Sequence, residues 1–230
     1  GPAQSRPPPP TTREHVMVFR PGLPTLEMWA APASPAATLV VTSAADTASA
    51  TCASTCTLRQ AITAANATAA ADTINFAITV PIRGEILISP ASPLPTITQP
   101  LTINGYSQSG TRVNDDPNVS NAVLRIRLDG ANAGSARGLA VCASGVAIRG
   151  LSITRFAQRG IAAGNDVAGG NCAAGNTLIE GNFIGLTSGG TLRLGNASGG
   201  MLPRATATNG GSPSAQHKYK SYPPPPRSVL

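Results

Sequence analysis

The sequence predicts an all-β fold of the solenoid type, a parallel β-helix, and three observations support that prediction. Short segments in which apolar and polar residues alternate recur along the chain, and each ends at Gly, Asn or Pro. The centres of four such segments, Ile103, Ile126, Ile148 and Ile179, are 22 to 31 residues apart, which is a spacing typical of solenoid repeats. Only 3% of the residues are aromatic and 12% are charged, a composition that suits a narrow core of stacked Ile, Val, Leu and Ala.

Composition divides the 230 residues into three regions. Residues 1–37 contain nine prolines and predict a disordered segment. Its small residues at 28–37 are typical of the end of a secretory signal peptide, although the apolar segment that should precede them is interrupted. Residues 38–200 carry the repeated strand pattern. Residues 201–230 lose that pattern and predict a disordered, basic and proline-rich tail, so we expect a fragment of a longer protein or a change of reading frame near Leu202.

The net charge of +7 is concentrated in the two predicted tails. Residues 38–200 contain ten arginines and eight acidic residues, so the predicted fold has little excess charge with which to bind a phosphate backbone. Aromatic residues are also too few to stack the bases of a single strand. No apolar stretch reaches the length of about 18 residues that a membrane-spanning helix needs. We therefore expect neither nucleic-acid binding nor a membrane span in this chain.

A short amphipathic helix is predicted near residues 57–69, between the first two strand segments. Thr57 and Gln60 have the spacing of a capping box, in which each side chain bonds the backbone N–H of the other residue. An apolar stripe follows at helical spacing, formed by Leu58, Ala61, Ile62 and Ala65. We expect this helix to cap the solenoid by covering the apolar end and the unpaired strand edge of its first coil.

The four cysteines form two pairs by spacing. Cys52 and Cys56 lie just before the predicted helix, and both histidines lie in the tails, which leaves too few ligands nearby for zinc. Cys142 and Cys172 are 30 residues apart, close to the offset between the two coils that contain them. We therefore expect one disulfide within each pair, and the alternative is free, buried thiols.

Arg149 and Glu180 occupy equivalent positions in the similar segments 148–153 and 179–184, so they should be neighbours. The simplest interpretation is an ion pair across two strands. The alternative is part of the active site of a polysaccharide lyase or glycoside hydrolase, since such sites need clustered carboxylates. The candidate catalytic residues would then be Asp129, Asp166, Glu180 and Arg149. Because no two acids share an equivalent position, the sequence favours a non-catalytic protein.

Other polar motifs give no sign of a metal or a cofactor. Segment 114–118 is rich in oxygen ligands but lacks the ligand spacing of a calcium loop, so it predicts a solvated turn. We expect no bound metal and no cofactor. Asn66, Asn118 and Asn196 each begin an Asn-x-Ser/Thr sequence, the acceptor pattern for N-glycosylation.

Residues 56–62, Cys-Thr-Leu-Arg-Gln-Ala-Ile, followed by Ala65 and Asn66, resemble the CSLREA-type N-terminal motif of bacterial secreted and surface β-helix proteins. Thr57 and Gln60 stand where the usual motif has Ser and Glu, and both keep the capping-box chemistry. Segments 101–110 and 179–185 are similar to sequences that recur in the same group. The resemblance covers residues 38–200. It implies a right-handed parallel β-helix that is exported and is part of a larger surface protein.

Together these features predict a non-catalytic structural or adhesin-like fragment of an exported bacterial surface protein. Loops such as 105–122 and 162–176 would be presented to a protein partner or to a cell-surface glycan. The alternatives are a fragment of a carbohydrate-active β-helix enzyme, and a β-helix like that of a phage tail spike. The expected location is secreted or cell-surface, with an export signal that is incomplete in this chain.

Overall fold

The fold is taken from a computed structural model of the chain, which describes residues 34–48, 51–79, 84–116, 118–167, 172 and 174–198. The predicted tail 201–230 lies outside the described residues, as does the N-terminal segment up to residue 33. The predictions of disorder and of a signal-peptide remnant therefore remain predictions.

Twelve regular elements follow one another in the described residues. The chain begins with β1 (Thr38–Val41), α1 (Leu58–Ala65), β2 (Asp72–Phe76), β3 (Ile86–Ile88), β4 (Leu101–Asn104) and β5 (Ile126–Asp129). It continues with β6 (Leu139–Val141), β7 (Ala147–Arg149), β8 (Leu151–Thr154), β9 (Ile161–Ala163), β10 (Leu178–Glu180) and β11 (Phe183–Ile184). Single 3-10 turns follow β4, β5 and β9, at Gly105–Ser107, Gly130–Asn132 and Gly164–Asp166.

The strands form three parallel sheets. The largest sheet has the order β1-β2-β4-β7-β10, the second β11-β8-β5-β3, and the third pairs β6 with β9. Ile74, Ile103, Ile148 and Ile179 lie side by side in the five-stranded sheet. Of the four isoleucines whose spacing predicted stacked strands, Ile103, Ile148 and Ile179 are neighbours in this sheet, but Ile126 lies on β5 in the four-stranded sheet. The spacing therefore indicates parallel pairing for three of the four, and the chain crosses to another sheet between Ile103 and Ile148.

The prediction of an all-β, right-handed parallel β-helix is wrong. The described strands form three separate sheets of five, four and two strands, with no closed or solenoid sheet, and an α-helix lies among them, so the class is α/β. Short strands that recur every 22 to 31 residues are expected in any parallel sheet whose strands are joined by long crossover connections, and not only in a β-helix. The period thus predicts that the strands pair in parallel, but it does not determine which strands form one sheet.

One apolar cluster joins the sheets to α1. The isoleucines at positions 74, 103 and 148 are completely buried, and the sheet β11-β8-β5-β3 adds Ile126, Leu128 and Ile153 to the same cluster. Leu58, Ala61, Ile62 and Ala65 add the buried stripe of α1. Burial of these aliphatic side chains is the main stabilising contribution to the fold.

The predicted capping box is present at the start of α1. Thr57 Oγ1 accepts from the Gln60 backbone N–H at 3.3 Å, and Gln60 Oε1 accepts from the Thr57 N–H at 2.8 Å. The helix ends at Ala65, four residues before the predicted end. It packs on β1 and β2, and therefore on the side of the five-stranded sheet where the sequence placed it.

Several side-chain amides bond the backbone as a neighbouring strand would. Asn196 Oδ1 accepts from the Phe156 N–H at 3.0 Å, while its Nδ2 donates to the Ile153 carbonyl at 3.1 Å. The same two-way arrangement recurs at Asn66, Gln108 and Asn182. These bonds satisfy buried peptide groups where a strand partner is missing.

Among the residues that the structure describes, no helix has the length and apolar character needed to cross a membrane.

Candidate functional site

The candidate acid Asp129 lies at the end of β5 and is completely buried. Arg155 Nε and Nη2 donate three hydrogen bonds of 2.6 to 3.0 Å to its two oxygens. Arg127 Nη1 lies 3.2 Å from Oδ2, and Arg127 Nε lies 2.7 Å from Glu85 Oε2. Glu85 in turn accepts from the Ser188 backbone and hydroxyl. Both Asp129 oxygens therefore contact arginine side chains, and the buried carboxylate is not accessible to a substrate.

The candidate acid Asp166 lies in the turn after β9, which is a strand of the two-stranded sheet. Its Oδ1 is 3.9 Å from Arg159 Nη2, and its Oδ2 is buried with no hydrogen-bond partner among the described residues. Both side chains line a cleft of about 370 Å³, which falls within the size range of ligand pockets. The remaining lining residues are Arg137, Gln158, Asn165, Val167 and Ser198.

The candidates Arg149 and Glu180 lie on the five-stranded sheet. They occupy the same register position on β7 and β10, with 3.8 Å between Arg149 Nη1 and Glu180 Oε1. The prediction that they are neighbours is confirmed. Both side chains are partly exposed, so this pair has the properties of a weak surface ion pair.

Tyr106 lies beside this pair, and no sequence pattern marked it as a candidate. Its hydroxyl donates to the Gly181 carbonyl at 2.8 Å. A Cβ on Gly150 or Gly181 would overlap the Tyr106 side chain, so both positions need glycine, and both also have a positive φ. Burial, together with the negative charge of Glu180, raises the pKa of Tyr106 above its usual value.

The three candidate acids therefore lie in different parts of the fold, Asp129 on β5, Glu180 on β10 and Asp166 in the turn after β9. Asp129 pairs with Arg155 and Asp166 faces Arg159, while Glu180 lies beside Arg149. A glycosidase needs two carboxyl groups on either side of one bond, about 5 to 10 Å apart. The described structure brings no two of these acids together in one ion-pair network. Within the same residues, no three His, Cys, Asp or Glu side chains are grouped as metal ligands would be.

Both predicted cysteine pairs are bonded. Cys52 and Cys56 join across 4.6 Å between their Cα atoms, and Cys142 and Cys172 across 4.7 Å. The second bond ties the chain that follows β6 to the chain that follows β9, the two strands that pair in the smallest sheet. Disulfides are typical of proteins that fold in an oxidising compartment.

The loop of residues 105–122 is held together by its own polar groups. Arg112 and Val123 form an antiparallel bridge at its base. The Asp115 carboxylate accepts from the Arg112 guanidinium and from the Asn121 amide. The Asn121 backbone N–H donates to Asn114 Oδ1 at 2.8 Å. The loop thus has a defined shape that rests on side chains within it.

Two apolar side chains of this loop point into solvent. Val113 is 55% exposed and Val119 is 63% exposed. Many polar groups of the loop are therefore engaged in hydrogen bonds with one another, while the two valines are exposed to solvent. Exposed apolar groups held on a rigid frame favour association, because little conformational freedom is lost when a partner binds.

Arg59, in the first turn of α1, forms an ion pair with Asp46, and no sequence pattern predicted this pairing. Arg59 donates to both Asp46 oxygens, at 2.7 and 2.9 Å, and to the carbonyls of Ser92 and Pro93. Burial raises the pKa of Asp46, but hydrogen bonds from Arg59 and from the Ala91 N–H, with the guanidinium charge, lower it further than burial raises it. The arginine of the 56–62 motif is therefore a structural clamp.

No protein-family model matches the chain, and no curated protein does either.

Proposed function

We propose that the chain is a non-catalytic, adhesin-like module of an exported surface protein, and that it binds a protein partner through the loop of residues 105–122. The observation that carries this proposal is the construction of the loop. Its polar side chains contact one another, while Val113 and Val119 are exposed. A partner that covers these valines gains the burial of apolar surface and orders little chain in return.

The separation of the acids supports a non-catalytic role. Asp129 and Glu180 lie on strands of two different sheets, Asp166 lies in the turn after β9, and each faces a different arginine, so no two of these three acids meet in one ion-pair network. The two disulfides support export, because such bonds persist outside the reducing cytosol. The resemblance of residues 56–62 to the motif of secreted bacterial surface proteins points the same way.

Binding to panels of immobilised extracellular proteins and of intact cells tests the role of the loop. The variant carrying Val113→Ser and Val119→Ser should bind at least tenfold more weakly than the unaltered protein. Leu192→Ser is the matched control, since Leu192 is 59% exposed outside the loop, and it should bind normally. Equal binding by all three proteins would contradict the proposal.

Incubation with a panel of polysaccharides tests the absence of catalysis. We expect no increase in reducing ends and no unsaturated products from the unaltered protein. Sustained release of oligosaccharides that is abolished by Glu180→Gln or Asp166→Asn would contradict the non-catalytic role.

A further inference from the structure

The cleft around Asp166 combines an unsatisfied acceptor with unpaired positive charge. Asp166 Oδ2 is buried and has no donor among the described residues. Arg137, in the same lining, makes no ion pair with any described acid. Arg159 lies 3.9 Å from Asp166, so the cleft holds two guanidinium groups and one carboxylate. The site therefore lacks both a hydrogen-bond donor for Asp166 and an anion for Arg137.

The rest of the lining fixes the kind of ligand. Among the described residues that line the cleft, Gln158, Asn165 and Ser198 are polar and Val167 is aliphatic. Gln158 Nε2 is held by the Ser135 carbonyl at 2.9 Å, so its position is fixed before any ligand arrives. A ligand for such a surface must carry many hydroxyl groups, and it must also carry one negative charge.

We infer that this cleft binds a carboxylated sugar unit of a glycan. The sugar carboxylate pairs with the guanidinium of Arg137, which matches a carboxylate through two parallel hydrogen bonds. A ring hydroxyl donates to the Asp166 carboxylate, whose side chain is 27% exposed. Arg159 remains beside Asp166 and offsets its charge, so that the acid does not repel the ligand. This site is separate from the 105–122 loop and adds a second ligand class to the proposed function.

Titration with two acidic probes, oligogalacturonate and sialyllactose, tests the inference by calorimetry. At least one probe should bind, and its methyl ester, which loses only the charge, should bind at least tenfold more weakly. Arg137→Gln should weaken binding to a similar degree, and Asp166→Asn should weaken it as well. Asp166→Asn hardly changes the shape of the side chain. If this variant has the same unfolding midpoint as the unaltered protein, its loss of affinity comes from the lost contact with the ligand.

Arg149→Gln is the matched control, because it also removes one arginine charge, but from the five-stranded sheet, where Arg149 does not line the cleft. It should leave the affinity unchanged. The inference is overturned if neither probe binds, if the methyl ester binds equally well, or if Arg149→Gln weakens binding as much as Arg137→Gln. The variant with serine at positions 113 and 119 should bind the acidic sugar normally, so failure of the loop proposal and failure of this inference are distinguishable.

Discussion

Arg155 holds the completely buried carboxylate of Asp129 through three hydrogen bonds, the shortest of which is 2.6 Å. The arginine reaches this position from a backbone φ of 58°, in the left-handed region that costs a side-chain-bearing residue roughly 1–2 kcal/mol. The ion pair therefore joins the ends of β5 and β8, although the backbone conformation that it requires at Arg155 is unfavourable. A conformation of this kind persists only where its contacts outweigh the strain.

Replacement of Arg155 separates these two contributions. Arg155→Ala should destabilise the fold by roughly 2 kcal/mol, because Asp129 keeps Arg127 as a partner but loses three hydrogen bonds. Arg155→Gly loses the same bonds but adopts the positive φ freely, so it should be about 1 kcal/mol more stable than Arg155→Ala. Urea unfolding of the three proteins measures both differences. Equal stability of the two variants would contradict the strain at this position.

The Asp46–Arg59 clamp predicts acid sensitivity at the helix end. The pKa of Asp46 is lowered in the folded state, so its contribution to stability is present above the ordinary carboxyl pKa and is lost as the pH falls through the folded value. Asp46→Asn should flatten the fall of the unfolding midpoint between neutral pH and about pH 3. Asp115 is the comparison, since its pKa is lowered by Asn121 and then Arg112 on an exposed loop, where solvent screens the interaction, so Asp115→Asn should flatten the curve much less. Parallel curves for the unaltered protein and Asp46→Asn would argue against the clamp.

The two disulfides should differ in what they contribute to stability. Cys142–Cys172 closes a segment with a sequence separation of 30 and Cys52–Cys56 one of 4. On the loop-entropy model their removal should cost about 3.5 and about 2 kcal/mol respectively. Double Cys→Ala variants of each pair, unfolded in urea, give the comparison. A larger loss for Cys52–Cys56 would mean that native contacts at the helix start outweigh the chain-entropy effect.

The three glycosylation sequences should behave differently in a eukaryotic secretory host. Asn118 is exposed, whereas the Asn66 and Asn196 amides each bond two backbone groups. Folded, secreted molecules should therefore carry a glycan at Asn118 alone, because a glycan on either of the other amides would disturb hydrogen bonds that join distant segments of the backbone. Peptide mass spectrometry locates the glycans. A glycan at Asn196 in folded protein would show that its amide bonds are dispensable.

Short-range and periodic features of this fold could be predicted from the sequence. The capping box at Thr57 depends on neighbours three residues away, and the pairing of Arg149 with Glu180 depends on the repeat of a strand pattern. The spacing of Cys142 and Cys172 predicted their bond for the same reason. Each of these depends on local chemistry or on a regular interval, which one sequence displays directly.

Contacts between distant segments could not be predicted in this way. Asn196 satisfies the backbone at Phe156, 40 residues away, and no local pattern marks that relationship. Asparagine is one of the residues at which the predicted strand segments end, yet among the described asparagines only Asn176 has a positive φ. The division of the strands among three sheets could not be predicted either, because the spacing of strands along the chain does not show where one sheet ends and the next begins.

The antiparallel bridge between Arg112 and Val123 brings the outgoing and returning chain together at one point. Residues between them can be inserted, deleted or replaced while the distance between β4 and β5 stays fixed. Homologous proteins should therefore diverge most rapidly in this segment, and foreign peptides grafted there should be tolerated. The fold in this way separates a frame of paired strands from a segment whose sequence can vary without disturbing that frame.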